Sequence, residues 1–81
     1  MNRIWDEKQQ RFRKYLKNLR SASGLTQTEL AERLNKHQSY VSKYENGERK
    51  LDFLETVEVF EACGVYDVSE LIELVKDDSR K

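Results

Sequence analysis

Apolar residues recur at helical spacing along most of the chain, and three glycines separate the segments. In the first segment, Phe12, Leu16 and Leu19 fall at i, i+4 and i+7, which is one stripe of an α-helix. This stripe predicts a first helix from about Asp6 to Ser23. Gly24 follows it and suits a left-handed C-cap, so we expect the helix to end there.

The next segments are shorter and carry their own start and stop signals. Thr26 and Glu29 form a T-Q-T-E capping box, which begins a second helix ending near Leu34. Asn35 follows, and asparagine is the non-glycine residue that best tolerates a positive φ. A third helix is predicted from Gln38 to Tyr44, so residues 26–45 contain two short helices joined by a tight turn.

This pair of helices fits a helix-turn-helix. Leu30, Ala31 and Leu34 on the second helix would meet Val41 on the third, and the small Ala31 permits a close crossing. The outward face of the third helix is then left with polar side chains that can hydrogen-bond to base edges in a DNA major groove. These candidate base-contacting residues are Gln38, Ser39, Ser42 and Lys43.

Two further helices are predicted in the remainder of the chain. The fourth runs from Leu51 or Asp52 to Cys63, with a buried side supplied by Leu54, Val57 and, more loosely, Phe53 and Phe60. The fifth covers residues 67–77, where an apolar stripe at helical spacing comprises Val68, Leu71, Ile72 and Val75. We therefore predict an all-α, compact five-helix bundle that forms one domain over residues 1–81, with residues 1–10 as an N-terminal extension.

The charge is divided between the two parts of the chain, although the total is zero. Residues 1–50 hold twelve Lys/Arg against six Asp/Glu, a net charge of +6, and residues 51–81 hold three against nine, a net charge of −6. A basic half can bind a polyanion such as nucleic acid, but it can also be only a solvated face.

Composition narrows the class of protein. The chain is 37% charged, and it has neither an apolar run long enough for a membrane span nor a signal peptide, so we expect a cytoplasmic protein. Its one cysteine, Cys63, excludes an internal disulfide, and its one histidine, His37, has no second histidine or cysteine at metal-ligand spacing. The chain also lacks a glycine-rich phosphate loop, an H-E-x-x-H motif and a nucleophile with a plausible base. We therefore predict no catalytic residues, no metal and no cofactor.

The segment from Leu19 to Val65 carries L-R-x-x-x-G-L-T-Q-x-E-L-A, then S-Y-V-S-K-Y-E-x-G, then A-x-G-V. With these motifs it resembles the lambda-repressor-like, Cro/Xre-type helix-turn-helix family. The resemblance implies a five-helix bundle that binds double-stranded DNA, usually as a homodimer, and regulates transcription in prokaryotes or phages, most often as a repressor.

The resemblance also implies residue roles. Gln38, Ser39 and Lys43 match positions that contact bases, and Ser42 is a further candidate. Arg20 and Glu45 match positions that form an internal ion pair. Phosphate contacts are expected from Gln27, Tyr40, Asn46 and Lys50 by family position, and further from Lys36, His37 and Arg49. His37 departs from the family pattern, in which Ser or Thr usually caps the recognition helix, so we expect a weaker cap there.

One alternative function has the same fold. The chain could be a protein-interaction module, such as an antitoxin that neutralises a toxin or an adaptor that recruits a co-regulator. The acidic ridge, defined as Asp52, Glu55, Glu58 and Glu61, is then either a solvated face or a surface for such a partner. If the protein dimerises, we expect the seam on the fifth helix, at Leu71, Leu74 and Val75.

Overall fold

The computed structural model describes residues 3–65 and, beyond them, Ser69, Ile72 and Glu73, with side chains described from Asp6 onward. Four α-helices lie in this part of the chain, without any strand: α1 Arg3–Ala22, α2 Gln27–Leu34, α3 Gln38–Glu45 and α4 Phe53–Ala62. The prediction of an all-α fold is confirmed. Helix α1 begins at Arg3, so residues 3–10, predicted as an extension, are the first turns of this helix.

The turn signals of the helix-turn-helix are present as predicted. The Thr26 hydroxyl accepts the Glu29 N–H at 3.0 Å, and the Glu29 carboxylate accepts the Thr26 N–H at 2.9 Å, which completes the capping box of α2. At the other end of α2, Asn35 has φ +58° and donates its N–H back to the last turn. Helix α3 begins after His37, whose side chain makes no capping hydrogen bond, so the weaker cap is also confirmed.

The core lies where the four helices meet. Helix α2 packs on α3 and α4, and α1 packs on α3. Leu16, Leu30, Val41, Val59 and Phe60 are each at most 1% exposed. Burying one such side chain contributes about 1.5–3 kcal/mol, so this core stabilises the positions of α2 and α3.

The prediction for the buried side of α4 was largely wrong. Phe53 and Leu54 were expected inside, but they are 77% and 70% exposed, and Val57 is only partly buried. Of the four residues predicted to be buried on α4, Phe60 alone belongs to the core.

A second stripe on α4 is the buried one. Thr56, Val59, Phe60 and Cys63 follow the i, i+3, i+4, i+7 spacing and are all buried. Thr56 can be buried at the start of this stripe because its hydroxyl donates to the Asp52 carbonyl at 2.8 Å, so the hydroxyl keeps a hydrogen-bond partner inside the protein.

The predicted fifth helix lies mostly outside the described residues. Ser69, Ile72 and Glu73, which are described, are helical. The predicted dimer seam at Leu71, Leu74 and Val75 lies outside the described residues. Within the described part of the chain, no helix combines the length and the hydrophobicity that a bilayer span requires.

Candidate nucleic-acid interface

Helix α3 has one buried face and one open face. Val41 and Tyr44 are at most 1% exposed and fix the helix on the core. On the open face, Gln38, Ser39 and Lys43 are exposed, and Ser42 is partly buried. Positions 38 and 42, and likewise 39 and 43, are one helical turn apart, so the four candidate base-contacting side chains share one face.

Gln38 is not free on this face, because it is joined to α2. Its Nε2 donates to Gln27 Oε1 at 2.7 Å, and Gln27 Nε2 donates in turn to Glu45 Oε1 at 3.0 Å. This chain of hydrogen bonds orients the first side chain of α3 from outside that helix. It also occupies Gln27, which the sequence predicted only as a phosphate contact.

The ion pair implied for Arg20 and Glu45 is present and well shielded. Arg20 Nε lies 2.7 Å from Glu45 Oε2, and Arg20 Nη2 donates to Glu45 Oε1 at 3.1 Å, with side-chain exposures of only 12% and 4%. Arg20 also donates to the Leu25 carbonyl at 2.9 Å. The hydrogen bond to the Glu45 carboxylate raises the pKa of Arg20, so the guanidinium remains charged, and the pair ties α1 to the end of α3.

The turn after α3 folds back on the end of the helix. Gly47 has φ +91°, a conformation that few side chains tolerate. The Lys43 carbonyl accepts the N–H groups of both Glu48, at 2.9 Å, and Arg49, at 3.2 Å. Asn46 Oδ1 accepts the Glu48 N–H at 3.1 Å, which leaves the Asn46 amide nitrogen as the group available to a phosphate.

Two of the predicted phosphate-contacting cations contact the ring of Tyr40. Arg49 Cζ lies 4.9 Å and Lys36 Nζ lies 5.3 Å from the centre of its ring, and both are cation–π contacts. The ring meets Tyr44 edge to face, with centroids 5.8 Å apart. Partial burial raises the pKa of Tyr40, so its hydroxyl is a hydrogen-bond donor at neutral pH. His37 and Lys50, the other two predicted phosphate-contacting side chains in this region, are exposed.

Two members of the acidic ridge are structural. Asp52 caps α4: its carboxylate accepts the Glu55 N–H at 2.8 Å, and Glu55 Oε1 accepts the Asp52 N–H at 3.0 Å. The other carboxylate oxygen of Glu55 lies 2.5 Å from Arg49 Nη2. The Asp52 N–H and then the Arg49 guanidinium lower the pKa of Glu55. The solvated ridge is therefore reduced to Glu58 and Glu61, which are exposed.

One basic residue near this surface was not predicted. Arg13 of α1 lies over the α3–α4 turn, where its Cζ is 3.1 Å from the position that a Cβ on Gly47 would take. With Arg49 and Lys50 it lines a cavity of about 220 Å³. The two parts of this contact are more than thirty residues apart, so helical periodicity carries no signal for it. Among the described residues, no group of acidic, His and Cys side chains could hold a metal ion.

Comparison with known proteins agrees with this geometry. A helix-turn-helix family model matches residues 16–71. Among solved structures, the chain is similar to an XRE-family-like protein from Pseudomonas syringae pv. tomato str. DC3000. The two are 41% identical, with a TM-score of 0.82, over 88% of this chain and 87% of that one. No curated protein matches the chain.

Proposed function

The chain belongs to the Xre-type helix-turn-helix family of DNA-binding regulators, and on that premise we propose that it is a transcriptional repressor that binds a specific double-stranded site. The observation that carries this proposal is the open face of α3, where Gln38, Ser39 and Lys43 are exposed opposite a fully buried face. Helix α3 is the recognition helix and enters the major groove.

The side chains on this face match the chemistry of base edges. Gln38 can bond an adenine through both its carbonyl and its amide, and Lys43 can donate to guanine O6 and N7. The hydrogen bond from Gln38 to Gln27 favours one orientation of the amide before DNA arrives. Ser39 and Ser42 supply smaller hydroxyl contacts. Sequence preference is therefore expected to follow the residues at 38 and 43.

The backbone phosphates are contacted by the groups that surround α3. Tyr40 of α3 forms one cluster with Lys36 and Arg49, which flank the helix in the sequence, and Lys50 follows in the α3–α4 loop. Gln27, His37 and Asn46 complete the proposed contacts. Such contacts set the register and orientation of the protein on the duplex without selecting a sequence.

The functional unit is proposed to be a homodimer that binds two half-sites roughly 34 Å apart. Phe53 and Leu54 support this proposal, because two adjacent large apolar side chains are at least 70% exposed at the start of α4. A second copy would cover them and remove apolar surface from water.

A protein partner, such as a toxin, is the second candidate function. The supporting observation is a groove of about 500 Å³ between α2 and α4, lined by Arg33, Lys36, Glu58 and Glu61 among others. Its charges of both signs suit a polar protein surface. Such a partner does not exclude DNA binding, since this groove contains none of the side chains on the open face of α3 and shares only Lys36 with the proposed phosphate contacts.

The test is selection of binding sites from a random duplex library by the purified protein, at about 150 mM salt, where non-specific binding is weak. Enrichment of a roughly palindromic site supports the repressor proposal and gives the spacing of the half-sites. Binding that is salt-sensitive but enriches no sequence contradicts it and favours the partner-dependent module.

A further inference from the structure

Arg49 is held by two groups in the unbound protein. Its guanidinium lies over the Tyr40 ring and also pairs with Glu55. Nevertheless the Arg49 side chain is 43% exposed, so water and any approaching ligand can still reach it. The cation is therefore held by two partners but remains accessible to a ligand.

Glu55 divides its two carboxylate oxygens between two tasks. Oε1 accepts the Asp52 N–H and closes the capping box of α4, whereas Oε2 faces Arg49. A glutamine can close a capping box as well as a glutamate. The capping box can therefore be closed without the negative charge, whereas the ion pair of Oε2 with Arg49 depends on it. The charge also acts more weakly on Lys36.

A carboxylate and a phosphate oxygen compete for the same guanidinium, because both accept charge-assisted hydrogen bonds from its N–H groups. We propose that Glu55 is an internal competitor of the DNA backbone for Arg49, so that a phosphate must displace this carboxylate to gain the contact. This inference rests on the proposed DNA-binding function. It assigns to Glu55 the role of weakening the affinity for any duplex, whatever its sequence.

The test measures duplex affinity by fluorescence anisotropy. The probe is a labelled duplex of fixed arbitrary sequence, about two helical turns long, titrated at salt concentrations from about 50 to 200 mM. The proteins are the wild type, Glu55→Gln, Arg49→Ala and the double variant. Glu58→Gln is the matched control, because it removes the same charge one turn further along α4, from a residue for which no ion pair is found among the described residues.

The expected result is tighter binding by Glu55→Gln, by about two- to fivefold, the range set by the strength of an exposed ion pair. Glu58→Gln should change Kd by much less. In the Arg49→Ala background, Glu55→Gln should have no effect beyond that of the control. Thermal unfolding should show Glu55→Gln to be no more stable than the wild type, so that the gain in affinity cannot be attributed to better folding.

Three results would overturn the inference while the proposed function stands. Glu55→Gln could fail to tighten binding, Glu58→Gln could tighten it equally, or the effect of Glu55→Gln could persist without Arg49. The last two results would mean that overall charge, and not competition for Arg49, sets the affinity. Absence of duplex binding by the wild type at the lowest salt would overturn the proposed function and this inference together.

Discussion

The shielded pair of Arg20 and Glu45 permits a quantitative prediction for Glu45→Gln. The amide keeps a carbonyl oxygen for Gln27, but it removes the charge that faces Arg20 and presents an NH₂ group instead. Removing one member of a buried pair costs about 3–5 kcal/mol. Here Arg20 keeps the Leu25 carbonyl as a partner and retains 12% exposure, so we expect a cost at or just below the lower end of that range, about 2–3 kcal/mol.

Such a loss is large for a chain of 81 residues, whose unfolding free energy is about 4–12 kcal/mol by the usual value per residue. With an m-value of about 1 kcal/mol/M in urea, the midpoint should fall by roughly 2–3 M. Far-UV circular dichroism against urea measures this shift. Glu32→Gln, a matched change at an exposed position of α2, should alter the free energy of unfolding by less than about 0.5 kcal/mol.

A double variant separates the charge from the packing. Replacing both Arg20 and Glu45 by methionine removes the buried charges together, which often restores stability, so it should be more stable than Glu45→Gln. If Glu45→Gln instead costs less than about 1 kcal/mol, the pair behaves like an exposed ion pair, and our account of its shielding is refuted.

Four further predictions concern single positions. Lys43→Ala should relax the preference at one base pair by about 1–3 kcal/mol. Lys50→Ala should weaken binding to all duplexes alike and reduce the slope of log K against log salt concentration by about one. Identical behaviour of the two variants in competition titrations would contradict the assignment of Lys43 to a base and Lys50 to a phosphate. His37→Ser should supply the missing cap of α3 and raise stability by about 1 kcal/mol, seen as a higher Tm. Leu54→Glu should shift a dimer towards monomer in analytical ultracentrifugation, and an unchanged mass would place the seam elsewhere. Folding lowers the pKa of Glu55 below its ordinary value of 4.5. The ionised carboxylate therefore stabilises the fold above pH 4.5, and this stabilisation is lost as the pH falls through the lower pKa of the folded state. In urea titrations, Glu55→Gln should lose less stability on acidification than the wild type.

Local signals account for the parts of the fold that the sequence predicted well. The capping box of Thr26 and Glu29 and the positive φ of Asn35 depend on residues within one helical turn. Their chemistry is therefore visible in the sequence itself. Asp52 and Glu55 form the same kind of capping box, with the spacing D-x-x-E. Two more acidic residues continue this spacing, however, so the sequence alone also fits a solvated ridge.

The buried face of α4 could not be chosen in the same way. Two stripes satisfy helical periodicity, one through Leu54 and Val57 and the other through Thr56, Val59 and Phe60. The choice is made by α2, which packs on α4, and by the hydrogen bond that lets Thr56 be buried. The contact of Gln38 with Gln27 is likewise invisible in the sequence, because each residue was predicted to face DNA separately and nothing in their spacing joins them.

The hydrogen bond between Gln38 and Gln27 has a consequence for the evolution of binding preference. A substitution at 38 that cannot donate a hydrogen bond also removes a partner from the Gln27 carbonyl, and through Gln27 it disturbs the contact with Glu45. We therefore expect the two positions to be epistatic, so that the effect of a change at one depends on the residue at the other. Relatives that recognise different operators are expected to differ at 27 and 38 together, so a new preference is reached through paired substitutions and not through single ones.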